Sequence, residues 1–121
     1  MKTKPANIMV KKYQVWVADL EPSFGTEPGK VRPVVIIQSN MLNTTHPSTV
    51  ICPITTNVTP SAQFLRVHLA IGEANLSQVS DILVDQIRAI DKVRLVKKLG
   101  TISPINQQTL DENLAIVMDL I

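Results

Sequence analysis

A chain of 121 residues, 45% hydrophobic and 18% charged, has room for one core and one domain and lacks the low-hydrophobicity signature of disorder. Its formal net charge of +2 allows a local contact with a polyanion but excludes a protein that coats nucleic acid through bulk charge. The single cysteine, Cys52, rules out an intrachain disulfide, and no apolar run approaches the roughly 18 residues of a membrane span, so a cytoplasmic protein with no membrane contact is expected.

In chain order, residues 1–12, with Lys2, Lys4, Lys11 and Lys12, read as a flexible basic leader ahead of one domain over 13–121. Tyr13–Asp19 sets Val15 and Val17 on one face, as a strand does. From Glu21 to Pro33 lie three of the eight prolines and two of the four glycines, Gly25 and Gly29, which predicts a turn-rich loop. Val34–Ile37 is a continuous β-branched run, the pattern of a strand buried on both faces. A second apolar run, Val50–Ile54, carries Cys52 as a core residue and stops at Thr55, Thr56 and Asn57. Phe64–Ile71 alternates, with Leu65, Val67, Leu69 and Ile71 facing one way and Arg66 and His68 the other. Ile82–Val84 predicts a buried strand that runs into Asp85, Gln86 and Arg88, and a helical turn is expected within residues 91–99, closed by Gly100.

The last element is the clearest helix. Ser103 is its expected N-cap and Pro104 its first residue, and Leu110, Leu114, Val117, Met118 and Ile121 recur at helical spacing. The fold class is therefore mainly β with short helices, a strongly curved sheet or small barrel of about five to seven strands closed by the C-terminal helix.

Buried strands that finish in polar groups are the sequence-level sign of a site. Arg32 precedes Pro33, which biases it towards an extended backbone, and it is tethered to the buried run from Val34. Its planar fork of donors suits two phosphate oxygens. Thr55 offers a hydroxyl at another strand end, Glu27 is a possible base or an orienting partner for Arg32, and Asp85, Gln86 and Arg88 carry groups able to read base edges or bind phosphate. His46 and His68 do not resemble a catalytic pair, no cluster has the spacing of a zinc site, and no glycine-rich phosphate loop is present, so no metal or other cofactor is expected. At 3%, aromatic residues are too few for a base-stacking platform; Trp16 and Tyr13 read as packing residues, with Phe24 a candidate to stack on a base.

These residues, in this order, resemble the MazF/PemK family of toxin endoribonucleases, which includes Kid. The likeness runs from Tyr13 to the C-terminus and is strongest over residues 15–22, 25–38, 50–55 and 85–91. It implies a compact SH3-like barrel, with the CcdB toxins as relatives in fold, a homodimer, a cognate MazE/PemI-like antitoxin whose acidic tail fills the RNA groove, and sequence-selective cleavage of single-stranded RNA. By the same resemblance Arg32 and Thr55 match the catalytic arginine and threonine. Glu27, Asp85, Gln86 and Arg88 match positions of the RNA groove, and Thr26, Gly29 and Lys30 fall in the loop that borders it.

The chain departs from family members in its Glu27-Pro28-Gly29-Lys30 loop, where many have Glu-Gln-Gly-Gly. It also departs from Kid, with Thr26 in place of a histidine and Leu83 in place of an arginine. The chemistry implied is metal-independent attack of the ribose 2′-OH on its own phosphate, leaving a 2′,3′-cyclic phosphate and a 5′-OH, with Asp85 or Glu27 accepting the proton. The alternative is a CcdB-like protein that binds and poisons DNA gyrase. CcdB proteins carry a tryptophan near the extreme C-terminus, where this chain has Asp119, Leu120 and Ile121.

Overall fold

Strand-forming runs joined by proline-bearing loops build an antiparallel seven-stranded sheet in a computed structural model that describes residues 9–22, 24–26 and 30–120. The strands are β1 (Gln14–Asp19), β2 (Val31–Ile36), β3 (Ser48–Thr55), β4 (Arg66–Leu69), β5 (Ser80–Leu83), β6 (Arg88–Asp91) and β7 (Leu95–Thr101), with helices α1 (Asn40–Asn43) and α2 (Pro104–Val117). Their order is β4-β5-β3-β2-β1-β7, and β6 pairs with β3 off this path. The mainly β class with a C-terminal helix is as expected, but the sheet is not closed: among the described residues no pairing joins β4 to β7.

Strong curvature gives the sheet two cores. Alternation along β2 and β3 sends Val35, Cys52 and Ile54 into one, where they meet Val15, Val67, Ile82 and Leu110 of α2. Val34, Ile36 and Ile51 go into the other, with Ala18, Leu20, Ile90 and Leu95. Burial on both faces explains why the Val34 run reads as continuously apolar. The second core also takes Val10, so the packed domain reaches back into the basic leader; residues 1–8 of that leader, and Ile121, lie outside the described residues.

Three local expectations are corrected. Within residues 91–99 the expected helical turn is the 3-10 turn Lys92–Arg94, but residues 95–101 form an edge strand on β1, because Leu95 packs inward while Val96, Lys97 and Lys98 face solvent; charged edge residues are how sheets discourage further pairing. Phe64, Leu65 and Ile71, expected to continue β4, stand outside it and are exposed. Residues 88–91 form β6, a strand that Asp85-Gln86-Ile87 concealed. At α2, Ser103 holds the N-cap position with Pro104 at the first turn, as expected, and its side chain makes no capping bond. Its N–H instead donates to Glu73 Oε2 at 2.6 Å, from the 3-10 turn Glu73–Asn75, and Asn106 Nδ2 donates to the same oxygen. Burial pushes the Glu73 carboxyl up, yet these bonds outweigh it and hold it below its ordinary range.

Candidate active site

The register of the central strands lines up a polar row. Val34 pairs with Pro53 as the last pair of the β2–β3 ladder; Arg32 and Thr55 lie two residues beyond it on the two strands and line one cleft. Thr55 pairs in turn with Asp81 of β5, and Asp81 with His68 of β4. Arg32 shares its face with Val34 and Ile36, and Thr55 shares its face with Ile51, so both project on the side of the second core, beyond its apolar end.

Two open clefts meet at Thr55. One, of about 460 Å3, is lined by Arg32 with Lys30, Pro33 and Ile54. The other, of about 330 Å3, has polar walls from Thr26, Arg66, Asp85 and Gln86 and apolar walls from Leu65 and Leu83. Thr55 and Asn57 border both. The second cleft exists because β5 and β6 lie along the same edge of β3 in different registers: Ile54 pairs with Ile82 but Ile51 with Arg88. Residues 84–87 step out of the ladder between them, which turns Asp85 and Gln86 towards the gap.

Thr55 is oriented by its neighbour. Its Oγ1 accepts the N–H of Asn57 at 3.0 Å, which leaves the hydroxyl hydrogen available to donate. Behind the clefts Asp81 is fully buried. Its Oδ2 accepts from Thr59 N at 2.8 Å and Arg66 Nη1 at 2.9 Å, and its Oδ1 meets His68 Nδ1 at 2.7 Å. Burial alone would raise the carboxyl, but the bonds from Thr59, His68 and Arg66 prevail and hold it low. Arg66 Nη1 also donates to Asn57 O, and His68 Nε2 meets Ala62 O at 2.9 Å. One buried carboxylate thus secures the loop from Asn57 to Ala62 and, through Asn57, the threonine.

The expected site residues divide as follows. Arg32, Thr55, Asp85, Gln86, Thr26 and Lys30 all border the two clefts. Lys30 adopts a left-handed φ of 66° and its N–H donates to Glu21 Oε1, a geometry that fixes the loop just before β2. Arg88 is on β6 opposite Ile51, outside the lining of either cleft, with Nη1 buried and unpartnered among the described residues. Glu27 and Gly29 lie outside the described residues.

Cys52 is buried core as expected; burial first, and then the nearby Asp85 charge, push its thiol up to about 12. Trp16 packs on the second core and Tyr13 on the first, as expected, whereas Phe24 is exposed. His68 is exposed, as read from the sequence, and is also tied to Asp81. Sequence reasoning did not single out Arg66, Asn57 or Asp81; the available signal was Arg66 and His68 on one face of an alternating strand with an aspartate heading the next apolar run. Among the described residues no three His, Cys, Asp or Glu side chains gather as a metal would require, and no helix is long and apolar enough to cross a membrane.

Comparison with known proteins agrees with this architecture. The chain is 34% identical over 114 residues to endoribonuclease EndoA of Bacillus subtilis, covering 94% of this chain and 98% of that one. MazF from Deinococcus radiodurans superposes with a TM-score of 0.79 at 18% identity, over 93% of this chain and 98% of that chain. An endoribonuclease from a mycobacterial species, solved in complex with its cognate antitoxin, superposes at 0.78 with 19% identity and the same coverage; at these identities the likeness speaks for the fold. Residues 11–118 match the profile of the PemK-like, MazF-like toxins of type II toxin-antitoxin systems, and the chain belongs to that family.

Proposed function

We propose that the protein is a sequence-specific, metal-independent endoribonuclease of single-stranded RNA, with Arg32 and Thr55 as its catalytic pair. The observation that carries the reading is that both side chains line one open cleft, at the place where Thr55 also borders the second. RNA supplies its own nucleophile. Arg32 binds the non-bridging oxygens of the scissile phosphate with its fork, and the Thr55 hydroxyl, its oxygen already engaged by Asn57, donates to the same phosphoryl group. The 2′-oxygen bonds to phosphorus as the bond to the 5′-oxygen breaks. Asp85, which shares the cleft that Thr55 borders, accepts the 2′ proton, and solvent protonates the leaving 5′-oxygen. The products are a 2′,3′-cyclic phosphate and a 5′-OH end. Thr26, Lys30 and Gln86 hold the flanking nucleotides.

EndoA is named an endoribonuclease and is similar over nearly the whole chain, which supports this activity. Membership of the family sets aside the gyrase-poisoning alternative. The reading includes a homodimer in the cytoplasm formed by one domain that takes in Val10 of the basic leader, and inhibition by a MazE/PemI-like antitoxin. Relatives solved with an antitoxin support the last point. The test is incubation with a long unstructured RNA in EDTA and identification of the new ends. Cyclic phosphate and 5′-OH ends are expected from the native chain, and a loss of at least about a hundredfold in rate from a folded Arg32→Ala dimer. Undiminished cleavage by that variant refutes the assignment.

A further inference from the structure

We propose that Arg66, locked by buried Asp81, reads a guanine base at a nucleotide adjoining the cut. The inference rests on the nuclease reading above and concerns the cleft of about 330 Å3 next to Thr55. Arg66 Nη1 spends both hydrogens inside the protein, on Asp81 Oδ2 and Asn57 O. Nε and Nη2 make no hydrogen bond among the described residues, and the side chain, 20% exposed, lines the cleft. What remains is a fork of donors in fixed orientation, at little further cost in side-chain entropy.

Charge decides between phosphate and base as the ligand of that fork. Asp81 offsets the charge of Arg66, and Asp85 adds a second carboxylate to the cleft, so the cluster carries no net positive charge even with His68 protonated. A phosphate is poorly placed there, whereas a neutral base is not penalised. A donor fork matches two adjacent acceptors. Guanine presents O6 and N7 on one edge, and arginine to that edge is the commonest specific contact with a base. Adenine places a donor beside N7 and uracil offers no such pair. Cytosine has one in N3 and O2, but a purine buries more surface against Leu65 and Leu83. The cleft begins at Thr55, so its occupant is a direct neighbour of the scissile phosphate.

The test alters the RNA first and the protein second. Cut sites of the full chain on a randomised single-stranded RNA should show guanine at a position adjoining the cut. Adenine in its place should lower kcat/KM by about 5- to 150-fold. Replacing that guanine with 7-deazaguanine, which carries C–H in place of N7, should cost about tenfold with the native protein. Arg66→Lys keeps a charge for Asp81 but loses the fork, and should cut the guanine and 7-deazaguanine RNAs equally.

Cleavage with no preference at that position, or with a preference for cytosine, overturns the proposal while leaving the nuclease intact. An Arg66→Lys defect that is uniform across sequences and lowers the salt slope by about one also overturns it, since that is a phosphate contact. A native protein that cuts no RNA overturns both readings. Should Arg66→Lys fail to fold, the 7-deazaguanine result on the native protein decides.

Discussion

Replacing Asp81 by asparagine should destabilise the whole domain, because this one carboxylate secures groups on β4 and in the loop that follows β3. The side chain is fully buried, and asparagine preserves its shape while leaving one acceptor oxygen for three donors. Removing one partner of a buried ion pair costs about 3–5 kcal/mol. Arg66 retains 20% exposure, so the lower end, about 3 kcal/mol, applies. One of the bonds from Thr59 N and His68 Nδ1 must also lapse, adding about 1 kcal/mol. The His68 side chain, 44% exposed, is screened and adds little.

A total near 4 kcal/mol corresponds to a fall in Tm of about 15 °C for a domain of this size. Thermal unfolding followed by circular dichroism, at pH 7 and fixed protein concentration, measures it. An Arg66→Met, Asp81→Asn double variant should be less damaged than the sum of the singles by about 2 kcal/mol, since it leaves no unpaired buried charge. A single-variant loss below about 1 kcal/mol would show that the carboxylate does not hold the loop, and the account of Arg66 as a fixed fork would fall with it.

Three other outcomes follow from the geometry. Thr55→Val removes the hydroxyl donor while keeping a β-branched residue in β3; kcat on a defined RNA should fall by about a hundredfold or more with Tm lowered by only a few degrees. Gly100→Ala should cost about 1–3 kcal/mol in urea unfolding, since an added Cβ would stand 2.9 Å from the backbone carbon of Ala74. His68 should make stability pH-dependent. Both its ring nitrogens face acceptors, Asp81 Oδ1 and Ala62 O, which only the doubly protonated ring can satisfy. The Asp81 bond first, and the Ala62 carbonyl second, raise its pKa above 6.5, against partial burial and the smaller opposing charge of Arg66. Its contribution is fully present below that value and is lost as pH rises through the folded pKa. The Tm gap between native protein and His68→Gln should therefore be wider near pH 5.5 than near pH 9.

Elements with a strong local pattern were legible from the amino-acid order. The Val34 and Val50 runs are buried on both faces, and their composition says so without tertiary information. Pro104 in the first turn marks the start of α2. The failures fall where tertiary pairing overrides weak local signals. Residues 95–101 carry lysines that suit a helix surface equally well, and only pairing with β1 makes them a strand. The residues before β6, Asp85-Gln86-Ile87, look like a strand terminus because they are one; that a further strand follows at once on the same edge of β3 is a fact about register, which sequence alone does not carry.

The site divides along the same physical line. Arg32 and Thr55 each close or open a strongly apolar run, so their position at strand ends is a local property. Their meeting in one cleft needs only that β2 and β3 be adjacent, the commonest outcome for consecutive strands. Asp81 is different. An aspartate before an apolar run ordinarily reads as a solvated strand end, and nothing at position 81 signals that an arginine and a histidine 15 and 13 residues earlier will meet it in the interior. Burial inverts the meaning of the residue: in water it is a solubilising charge, whereas at zero exposure it is tolerable only with its partners in place. The same desolvation that hides Asp81 from a linear reading gives it its purpose, because a carboxylate that must be satisfied fixes Arg66 in the cleft it shares with Thr55, and a fixed arginine can discriminate where a mobile one could only attract.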